Sequence, residues 1–388
     1  MSEGLQRHQP GPFPEPGSSG VESTWLAKLK AILRRPLDPF VPSHYRDLPA
    51  LARRLFRSRE PGALYAMRLA AFGTMLTPLD LLLQLSERQL YAQATEPKLP
   101  VIFVCGAPRS GTTLVAQFLI KNLPVSYLNN AMAVFPRSPI TANALLGPMI
   151  AGREIEYDSF YGRTLHFSGP NDALQQWDRW FGNDRKRIPT GLTDQQREAM
   201  IAFFGALEKA FGKPLVAKNN SLNTCAHLVA AALKTAHFIC VTREPIYLAQ
   251  SLLRARFELY GDPRIWYGVE DSAKSCERPR DIAQDVCDQV RFHERSINEQ
   301  RDRIGPARFW VISYEEFCAD PSKIVRRVSE TLLRCTVSTD RLAALSKPFI
   351  TSNRVRIEPA LFDRMERILM STGTEGLSAN GASSDCAR

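Results

Sequence analysis

The sequence predicts an α/β protein whose mostly parallel central sheet is flanked by helices on both faces, giving three layers. From residue 101 onward, short apolar runs rich in β-branched residues recur, as expected for strands covered on both faces. Segments with helical periodicity separate these runs, and strands that alternate with helices form parallel sheets. The chain has 388 residues, of which 44% are apolar. It can therefore bury one large core and a smaller appended unit.

The strands and helices can be placed in order along the chain. The predicted strands are Val101 to Cys105, Val125 to Leu128, Pro214 to Ala217, His237 to Val241 and Ala307 to Ile312. One helix is predicted from Thr112 onward, and others are Thr193 to Phe211, Leu222 to Leu233, Ile246 to Tyr260, Asp281 to Arg303 and Pro321 to Leu333. Residues 129–192 are irregular, and long irregular segments are often functional. We expect them to face a substrate.

Four parts of the chain are predicted from its composition. Residues 1–20 and 372–388 are too polar to bury a core and are predicted to be disordered. Residues 21–97 form a helical extension, and residues 98–371 form the main domain. Two segments of the extension, TWLAKLKAILRR and LPALARRLFRS, are basic and amphipathic. They either pack against the main core or contact an anionic membrane surface as a peripheral attachment.

Charge and cysteine content limit the partners. The net charge of +10 favours an anionic ligand, but no basic repeat or RNA-binding motif accompanies it, so nucleic acid is not expected. The eight cysteines include no C-x-x-C pair, and neither a disulfide framework nor a metal site is predicted. The N-terminal segment is polar and has no secretory signal. These features predict a cytoplasmic protein, with peripheral membrane contact as the open alternative.

The most distinctive segment is PVIFVCGAPRSGTTLVAQFL, residues 100–119, which reads as a strand, a tight loop and a helix. Ser110 is the predicted N-cap of that helix. A loop of this kind points backbone N–H groups and a helix dipole at one spot, which suits a phosphate or sulfate. It resembles a Walker A motif, except that Thr112 stands in place of the lysine and Arg109 supplies the positive charge. A turn without a ligand would not need this set of polar side chains.

A second motif lies in VTREPIYLAQSLLRAR, residues 241–256. Arg243 follows a buried strand, and Ser251 lies about two turns into the next helix. Such a pair can hold one phosphate between a guanidinium and a hydroxyl. Alone, the segment is equally compatible with a capping arginine and a surface serine.

Together the two motifs resemble the sulfotransferase family that uses 3′-phosphoadenosine 5′-phosphosulfate. The family's loop P-[KR]-S-G-T-T, which holds the 5′-phosphosulfate, matches Pro108, Arg109, Ser110, Gly111, Thr112 and Thr113. Its second element, which holds the 3′-phosphate, matches Arg243, Pro245 and Ser251. A third segment, Y-E-x-[LF] ahead of D-P, matches Tyr314, Glu315, Phe317, Asp320 and Pro321. The resemblance spans residues 98–335.

The resemblance implies a P-loop-like fold and in-line transfer of a sulfuryl group, without a metal, to an acceptor hydroxyl. The acceptor is a small molecule, a glycan or a lipid. Arg109 in place of a lysine looks more like the bacterial and Golgi-type branches of the family. Two alternatives remain open, namely an ATP-dependent enzyme related to P-loop kinases and a catalytically inactive binding protein. The oligomeric state is not predicted.

The resemblance also assigns candidate roles. Arg109 would stabilise the departing charge, and Lys218 resembles a family lysine found in K-x-P, although Asn220 replaces the proline. The general base is either Asp172 or His166, both of which lie between the two motifs. A histidine has the more suitable ordinary pKa, whereas the G-P-x-[ED] context favours Asp172. Asp172 is also a candidate N-cap for the helix after it.

Other assignments carry less sequence support. Tyr314 is expected at the adenosine, and Arg354 is expected near the 3′-phosphate, with Ser352 and Asn353 equally eligible. His293 is expected on the exposed face of a helix. An aromatic cluster suits either a sugar or lipid face or simply the core, and it consists of Phe160, Tyr161, Phe167, Trp177, Trp180 and Phe181.

Overall fold

The computed structural model describes residues 47–150, 155–157, 159–271 and 281–371, together with Phe40 and Tyr45. Its centre is a parallel sheet formed by β1 (Val101–Gly106), β2 (Ser126–Tyr127), β3 (Leu215–Lys218), β4 (Ala236–Thr242) and β5 (Phe309–Ser313). The strand order is β2-β3-β1-β4-β5. The predicted α/β class and the five predicted strand positions are confirmed, with boundaries shifted by one or two residues.

The central strand β1 explains where a ligand can bind. Every residue of β1 is buried, since β3 and β4 pair with its two edges and helices cover both faces. Val104 pairs with Lys218 of β3, and Gly106 pairs with Val241 of β4. The carboxyl ends of three strands therefore meet at one edge of the sheet, which is the usual ligand position in such folds.

Helices cover both faces of the sheet and form the extension. In chain order they are α1 (Leu48–Ser58), α2 (Pro61–Met75), α3 (Thr77–Ala92), α4 (Thr112–Asn122), α5 (Asn130–Val134), α6 (Pro139–Ile150), α7 (Leu174–Phe181), α8 (Asp194–Phe211), α9 (Leu222–Ala232), α10 (Pro245–Ala255), α11 (Ile282–Ile304), α12 (Tyr314–Ala319), α13 (Ser322–Val328), α14 (Thr339–Leu345) and α15 (Pro359–Ser371). Single π-helical turns continue α10 and α13 through Tyr260 and Leu333, as far as the helices predicted there.

The extension packs against the main domain through two buried carboxylates of α3. Asp80 accepts hydrogen bonds from the backbone N–H of Arg137 and the hydroxyl of Ser138, at the start of α6. Glu87 accepts from the backbone N–H and the hydroxyl of Thr141. Anionic groups are stabilising at a helix N-terminus, so these contacts fix α3 on α6.

The extension also contains apolar helices. In the described part of the chain, no single helix is long and apolar enough to cross a membrane. The pair α2 and α3 reaches that length and composition together, but it is bent by 71°. The predictions for residues 1–20, for the basic helix within 24–35 and for the tail lie outside the described residues.

Candidate functional site

A cavity of about 340 Å³ lies at the carboxyl ends of β1, β3 and β4. The loop after β1 lines one part of the cavity. The segment between α6 and α8, which includes α7, lines another part. The segment that was expected to face a substrate therefore does line the cavity that the sheet creates. Its contributions include Tyr161, Arg163, Asp172 and Trp177.

The loop after β1 is a tight backbone cradle. Gly106 and Gly111 have φ of 145° and 99°. A Cβ on Gly106 would lie 2.3 Å from the carbonyl oxygen of Val241, and one on Gly111 would lie 2.4 Å from the ring of Tyr314. The first intrahelical bond of α4 runs from Val115 to the carbonyl of Gly111 (3.2 Å). The amides before Val115 in this helix therefore have no intrahelical acceptor and are available to an anion.

The predicted N-cap is wrong, because Gly111 occupies that position and no side chain caps α4. The backbone N–H of Ser110 donates to the carbonyl of Ala107 (3.1 Å), so Ser110 lies in a turn before the helix. The residue that directly precedes the helix is Gly111, whose backbone is left-handed. The hydroxyl oxygen of Ser110 is buried and makes no hydrogen bond within the described residues. A buried hydroxyl without a protein partner inside such a cradle fits an anion, to which it can donate a hydrogen bond.

The two predicted phosphate-binding motifs contact each other directly. Arg243 Nη1 donates to the backbone carbonyl of Arg109 at 3.1 Å. Arg109 Nε donates to Ser251 Oγ at 3.2 Å. Burial lowers the pKa of Arg243, but a guanidinium stays charged in proteins. Two motifs that are far apart in sequence thus form one continuous polar surface.

The late loop completes this surface. Arg243 Nη2 donates to Ser352 Oγ (3.0 Å) and to Asn353 Oδ1 (2.7 Å). The hydroxyl of Tyr314 accepts from the backbone N–H of Ser352 at 3.2 Å, and Tyr314 and Ser352 both line the cavity. Burial acts to raise the pKa of Glu315, but hydrogen bonds from Asn353 and from a backbone amide lower it below its ordinary value.

Arg354 is not brought to the cavity. Its side chain is exposed, and Gln250 holds its backbone carbonyl through a 2.9 Å hydrogen bond. Gln250 also accepts from the backbone of Arg356, so the loop is anchored on α10 with Ser352 nearest the cavity. Of the three residues that were eligible by sequence, the structure joins Ser352 and Asn353 to Arg243 and leaves Arg354 outside.

Asp172 and Lys218 form an ion pair in the cavity wall. Lys218 Nζ lies 2.6 Å from both carboxylate oxygens and donates a hydrogen bond to Oδ2. Lys218 is only 7% exposed, so it is not a solvated charge at the end of a strand. Asp172 does not cap α7, because Ala173 is the N-cap residue and its amide donates to Asn171 Oδ1. The ion-paired carboxylate therefore lines the cavity and does not cap a helix.

The structure separates the two candidate bases. His166 is exposed and lines a second cavity, beside Phe72 of α2 and Met149 of α6. Its backbone carbonyl accepts from Asn130 Nδ2 at 2.7 Å, and this hydrogen bond holds the turn that contains His166. His166 is therefore not among the residues of the main cavity, whereas Asp172 is.

Several cavity residues were not predicted as site residues. Asn220 accepts a hydrogen bond from Thr112 Oγ1 (2.9 Å), and so ties β3 to the loop. The ring of Tyr161 lies 4.4 Å from the guanidinium carbon of Arg109, and its hydroxyl bonds to Glu258. A cation over an aromatic face is attractive, so Tyr161 helps to hold Arg109. No motif or regular spacing in the sequence indicates that these residues lie together.

The expectation for His293 is wrong. It is 1% exposed and lines the cavity, and its Nδ1 lies 2.7 Å from Asn223 Nδ2 of α9. Burial lowers the pKa of His293 to about 3, so the ring is neutral. Val286, Val290 and Ile297 are spaced so that His293 shares their buried face, and this pattern was the available signal.

The aromatic cluster is divided. Tyr161, Trp177 and Phe181 line the cavity. Trp180 lies in the core against Phe203, while Phe167 lines the second cavity. The core alternative is therefore confirmed for Trp180, and the contact of the cavity-lining rings with a sugar or lipid stays a prediction.

Cationic residues outnumber carboxylates in the lining of the cavity, which contains Arg109, Arg163, Arg185, Arg187, Lys218 and Arg243 beside Asp172, Asp178 and Asp184. Within the described residues, no group of three His, Cys, Asp or Glu side chains could hold a metal ion. The arrangement suits a large anion bound next to a carboxylate.

The chain is similar to known proteins in sequence and in fold. The model of the Sulfotransferase family matches residues 100–333. Among solved structures, the chain is similar to sulfotransferase STF9 from Mycobacterium avium, with a TM-score of 0.50 and 16% identity over 88% of this chain and 96% of that one. It is also similar to sulfotransferase STF1 from Mycobacterium tuberculosis H37Rv, with a TM-score of 0.46 and 16% identity over 89% and 98% of the two chains.

The likeness to STF9 supports the fold alone at this identity. No curated protein sequence matches the chain. The family model covers more than half of the chain and includes the loop after β1, Arg243 and Ser251. The resemblance inferred from those motifs is thereby confirmed, and the chain belongs to the sulfotransferase family.

Proposed function

We propose that this sulfotransferase uses 3′-phosphoadenosine 5′-phosphosulfate as its donor and transfers the sulfuryl group in line to an acceptor hydroxyl. The observation that carries the proposal is the contact between the two motifs through Arg243, Arg109 and Ser251. A donor with phosphate groups at both the 5′ and 3′ positions needs two anion sites at a fixed separation. This contact supplies a rigid connection between two such sites.

The residues present fit the donor. The amides at the start of α4 and the unpartnered hydroxyl of Ser110 would hold the 5′-phosphosulfate, together with Thr112 and Thr113. Arg243 and Ser251 would hold the 3′-phosphate, and Tyr314 would contact the adenosine. When bound, the donor supplies the sulfuryl group, whose S–O bond to the 5′-phosphate breaks as the new S–O bond to the acceptor oxygen forms.

The chain's own residues manage charge and proton. Asp172 takes the proton of the acceptor hydroxyl, and Lys218 fixes the orientation of that carboxylate through their ion pair. Arg109 stabilises the negative charge that develops on the departing phosphate, and a guanidinium can hold two oxygens at once. Tyr161 and Ser251 position Arg109 for this role.

The missing Walker lysine fits the same donor. Thr112 occupies that position, and its hydroxyl is committed to Asn220 at 2.9 Å. The loop therefore carries no lysine to contact the γ-phosphate of ATP, and Arg243 and Ser251 would have no 3′-phosphate to hold in ATP. The acceptor is a small molecule, a glycan or a lipid. Peripheral membrane contact of the basic helices remains part of the proposal, as does a cytoplasmic location.

Calorimetry with 3′,5′-adenosine bisphosphate, beside ATP, tests the donor. We expect the wild-type chain to bind the bisphosphate and not ATP. Arg243→Ala removes charged hydrogen bonds and should weaken bisphosphate binding about 10- to 100-fold. Arg301→Ala, at an exposed position of α11, is the matched control and should bind like the wild type. Tight binding of ATP without binding of the bisphosphate would contradict the proposal.

A further inference from the structure

Three buried polar side chains at the end of β3 and on the helices behind it are not used by the reaction described above. Asn219, Asn223 and His293 all line the cavity, and they are 1%, 0% and 1% exposed. Each keeps one buried polar atom without a hydrogen bond in the described part of the chain, namely Asn219 Nδ2, Asn223 Oδ1 and His293 Nε2. Buried polar atoms are rarely left without a partner, so a polar molecule that enters the cavity is expected to pair with these atoms.

The hydrogen-bonding character of the group can be worked out. Asn219 Oδ1 accepts from the backbone N–H of Ser221 at 2.9 Å, so the free Nδ2 of Asn219 is a donor. In the Asn223–His293 contact, the imidazole nitrogen either accepts from the amide N–H or donates to the amide oxygen. In either arrangement, this pair leaves one donor and one acceptor unused. The group as a whole therefore offers two donors and one acceptor. Because His293 Nε2 faces away from the Asn223 amide bound at Nδ1, these atoms would pair with separate hydroxyls of a ligand.

The charge and position of the group limit the kinds of ligand that it can bind. Burial lowers the pKa of His293 to about 3, so the imidazole brings no positive charge to attract an anion. Asn219 directly follows Lys218, whose ammonium group holds Asp172. The group and the Asp172 carboxylate therefore line the same cavity. Aromatic rings of Tyr161, Trp177 and Tyr267 also line the cavity and can cover the apolar faces of a ring-shaped ligand.

We propose that Asn219, Asn223 and His293 form an acceptor subsite that binds unreacting hydroxyls of the acceptor, so that the acceptor is a neutral polyhydroxylated molecule of the sugar or cyclitol type. The inference rests on the proposed function, because it concerns the acceptor end of the same cavity. These three residues bind and orient the acceptor, while the hydroxyl that reacts faces Asp172. A simple alcohol of the same ring size would lack these additional hydroxyls and leave the three polar groups unpaired.

The decisive variant is the double substitution Asn223→Leu with His293→Phe. Replacing both members of a buried polar pair with apolar groups of similar shape leaves no new unpaired atom, so the fold should be kept. We would measure kcat/KM for methyl β-D-glucopyranoside, methyl β-D-galactopyranoside and myo-inositol, with cyclohexylmethanol as the alcohol that lacks ring hydroxyls. Binding of each compound to the protein–bisphosphate complex would be measured by saturation-transfer NMR.

We expect the wild type to bind and sulfate at least one polyol at least about 10-fold better than cyclohexylmethanol, as the loss of paired groups at a polar site predicts. The double variant should lose this preference, mainly through KM, and keep its affinity for 3′,5′-adenosine bisphosphate. The single substitution Asn223→Leu, checked by its melting temperature, should lower the preference in the same direction.

A matched control is available between the same two helices. Gln300 of α11 contacts His227 of α9 but does not line the cavity. Gln300→Met should leave the polyol preference unchanged. If the wild type binds the bisphosphate but neither binds nor sulfates any of the three polyols, or if the double variant keeps the preference, the subsite inference is wrong while the donor proposal stands. Failure of the wild type to bind the bisphosphate would instead contradict the donor proposal, and the same NMR comparison of wild type and double variant, made on the protein alone, would then decide the subsite.

Discussion

The two ends of the cavity are built in different ways. The donor end comes from three short segments, each beginning where a strand ends, that contain Arg109, Arg243 and Tyr314. The acceptor end combines Tyr161 of the irregular segment with His293 of α11 and with residues at the end of β3. At the donor end, successive backbone amides at the start of α4 are available to a ligand, whereas the acceptor end consists mainly of side chains.

This difference explains why one end has a sequence motif and the other does not. A phosphate can be held by successive amides of one loop, so the required residues lie next to each other in the chain. An acceptor has to be approached by side chains from several directions, and these come from separate elements. Three substitutions test this contrast, and they are given in order of decreasing expected effect.

The largest effect is expected at the acceptor end, for Asp172→Asn. The amide keeps the shape of the carboxylate but cannot take the acceptor proton, so kcat should fall about 10²- to 10⁴-fold. Affinity for 3′,5′-adenosine bisphosphate should be unchanged, which separates the two ends of the cavity. Transfer of labelled sulfate measures kcat, and calorimetry measures the affinity.

His166→Gln is the matched control for this prediction, because His166 was the other candidate base and lies in the second cavity. Its turnover should equal that of the wild type. A large loss of turnover in His166→Gln together with full activity in Asp172→Asn would reverse the assignment of the base.

A smaller effect is expected at the donor end, for Gly111→Ala. The added Cβ would lie 2.4 Å from the ring of Tyr314 at a residue with φ of 99°. The strained backbone and the displaced ring should lower the free energy of unfolding by about 1–3 kcal/mol. Bisphosphate binding should weaken as well, since Gly111 shapes the cradle. Urea denaturation and calorimetry measure the two effects.

Gly147→Ala is the control for Gly111→Ala. Gly147 lies in α6, and a Cβ there would meet no atom within 4 Å. Alanine is also the better helix former, so the free energy of unfolding should stay the same or rise slightly. Equal losses of stability in the two variants would show that the loop is not specially constrained.

The smallest effect concerns the pH dependence of stability, through His293. Its pKa is about 3 in the folded chain because of burial, below the ordinary value of 6.5. The unfolded chain therefore binds the proton more readily, so this residue's contribution to stability is intact above pH 6.5 and declines as the pH falls toward 3.

At pH 5 this decline amounts to about 2 kcal/mol relative to neutral pH. The difference in unfolding free energy between pH 7.5 and pH 5 should therefore be smaller in His293→Gln than in the wild type. Urea titrations of both proteins at the two pH values measure it. The same pH dependence in both proteins would show that His293 is not buried as a neutral ring.

The sequence predicted much of the fold because its strands are strongly apolar and its helices have clear periodicity or caps. Thr193, for example, stands at the predicted start of α8 and caps it. Its hydroxyl accepts from the backbone N–H of Gln196, and the side chain of Gln196 accepts from the backbone N–H of Thr193. The prediction for Ser110 failed because a left-handed glycine, and not a side chain, starts α4. The prediction for His293 was wrong because α11 contains many polar residues, and the sequence does not show that α9 packs against the face of α11 that contains His293.

By itself, then, the sequence determined the α/β fold and the family, because these depend on local periodicity and on short contiguous motifs. The tertiary structure alone decided which candidate base joins Lys218, which residues of the late loop meet Arg243 and which buried polar groups line the cavity. Those outcomes depend on the packing of elements that are far apart in the chain, such as β3 against the turn before α7 and α9 against α11. No local pattern of residues records such packing.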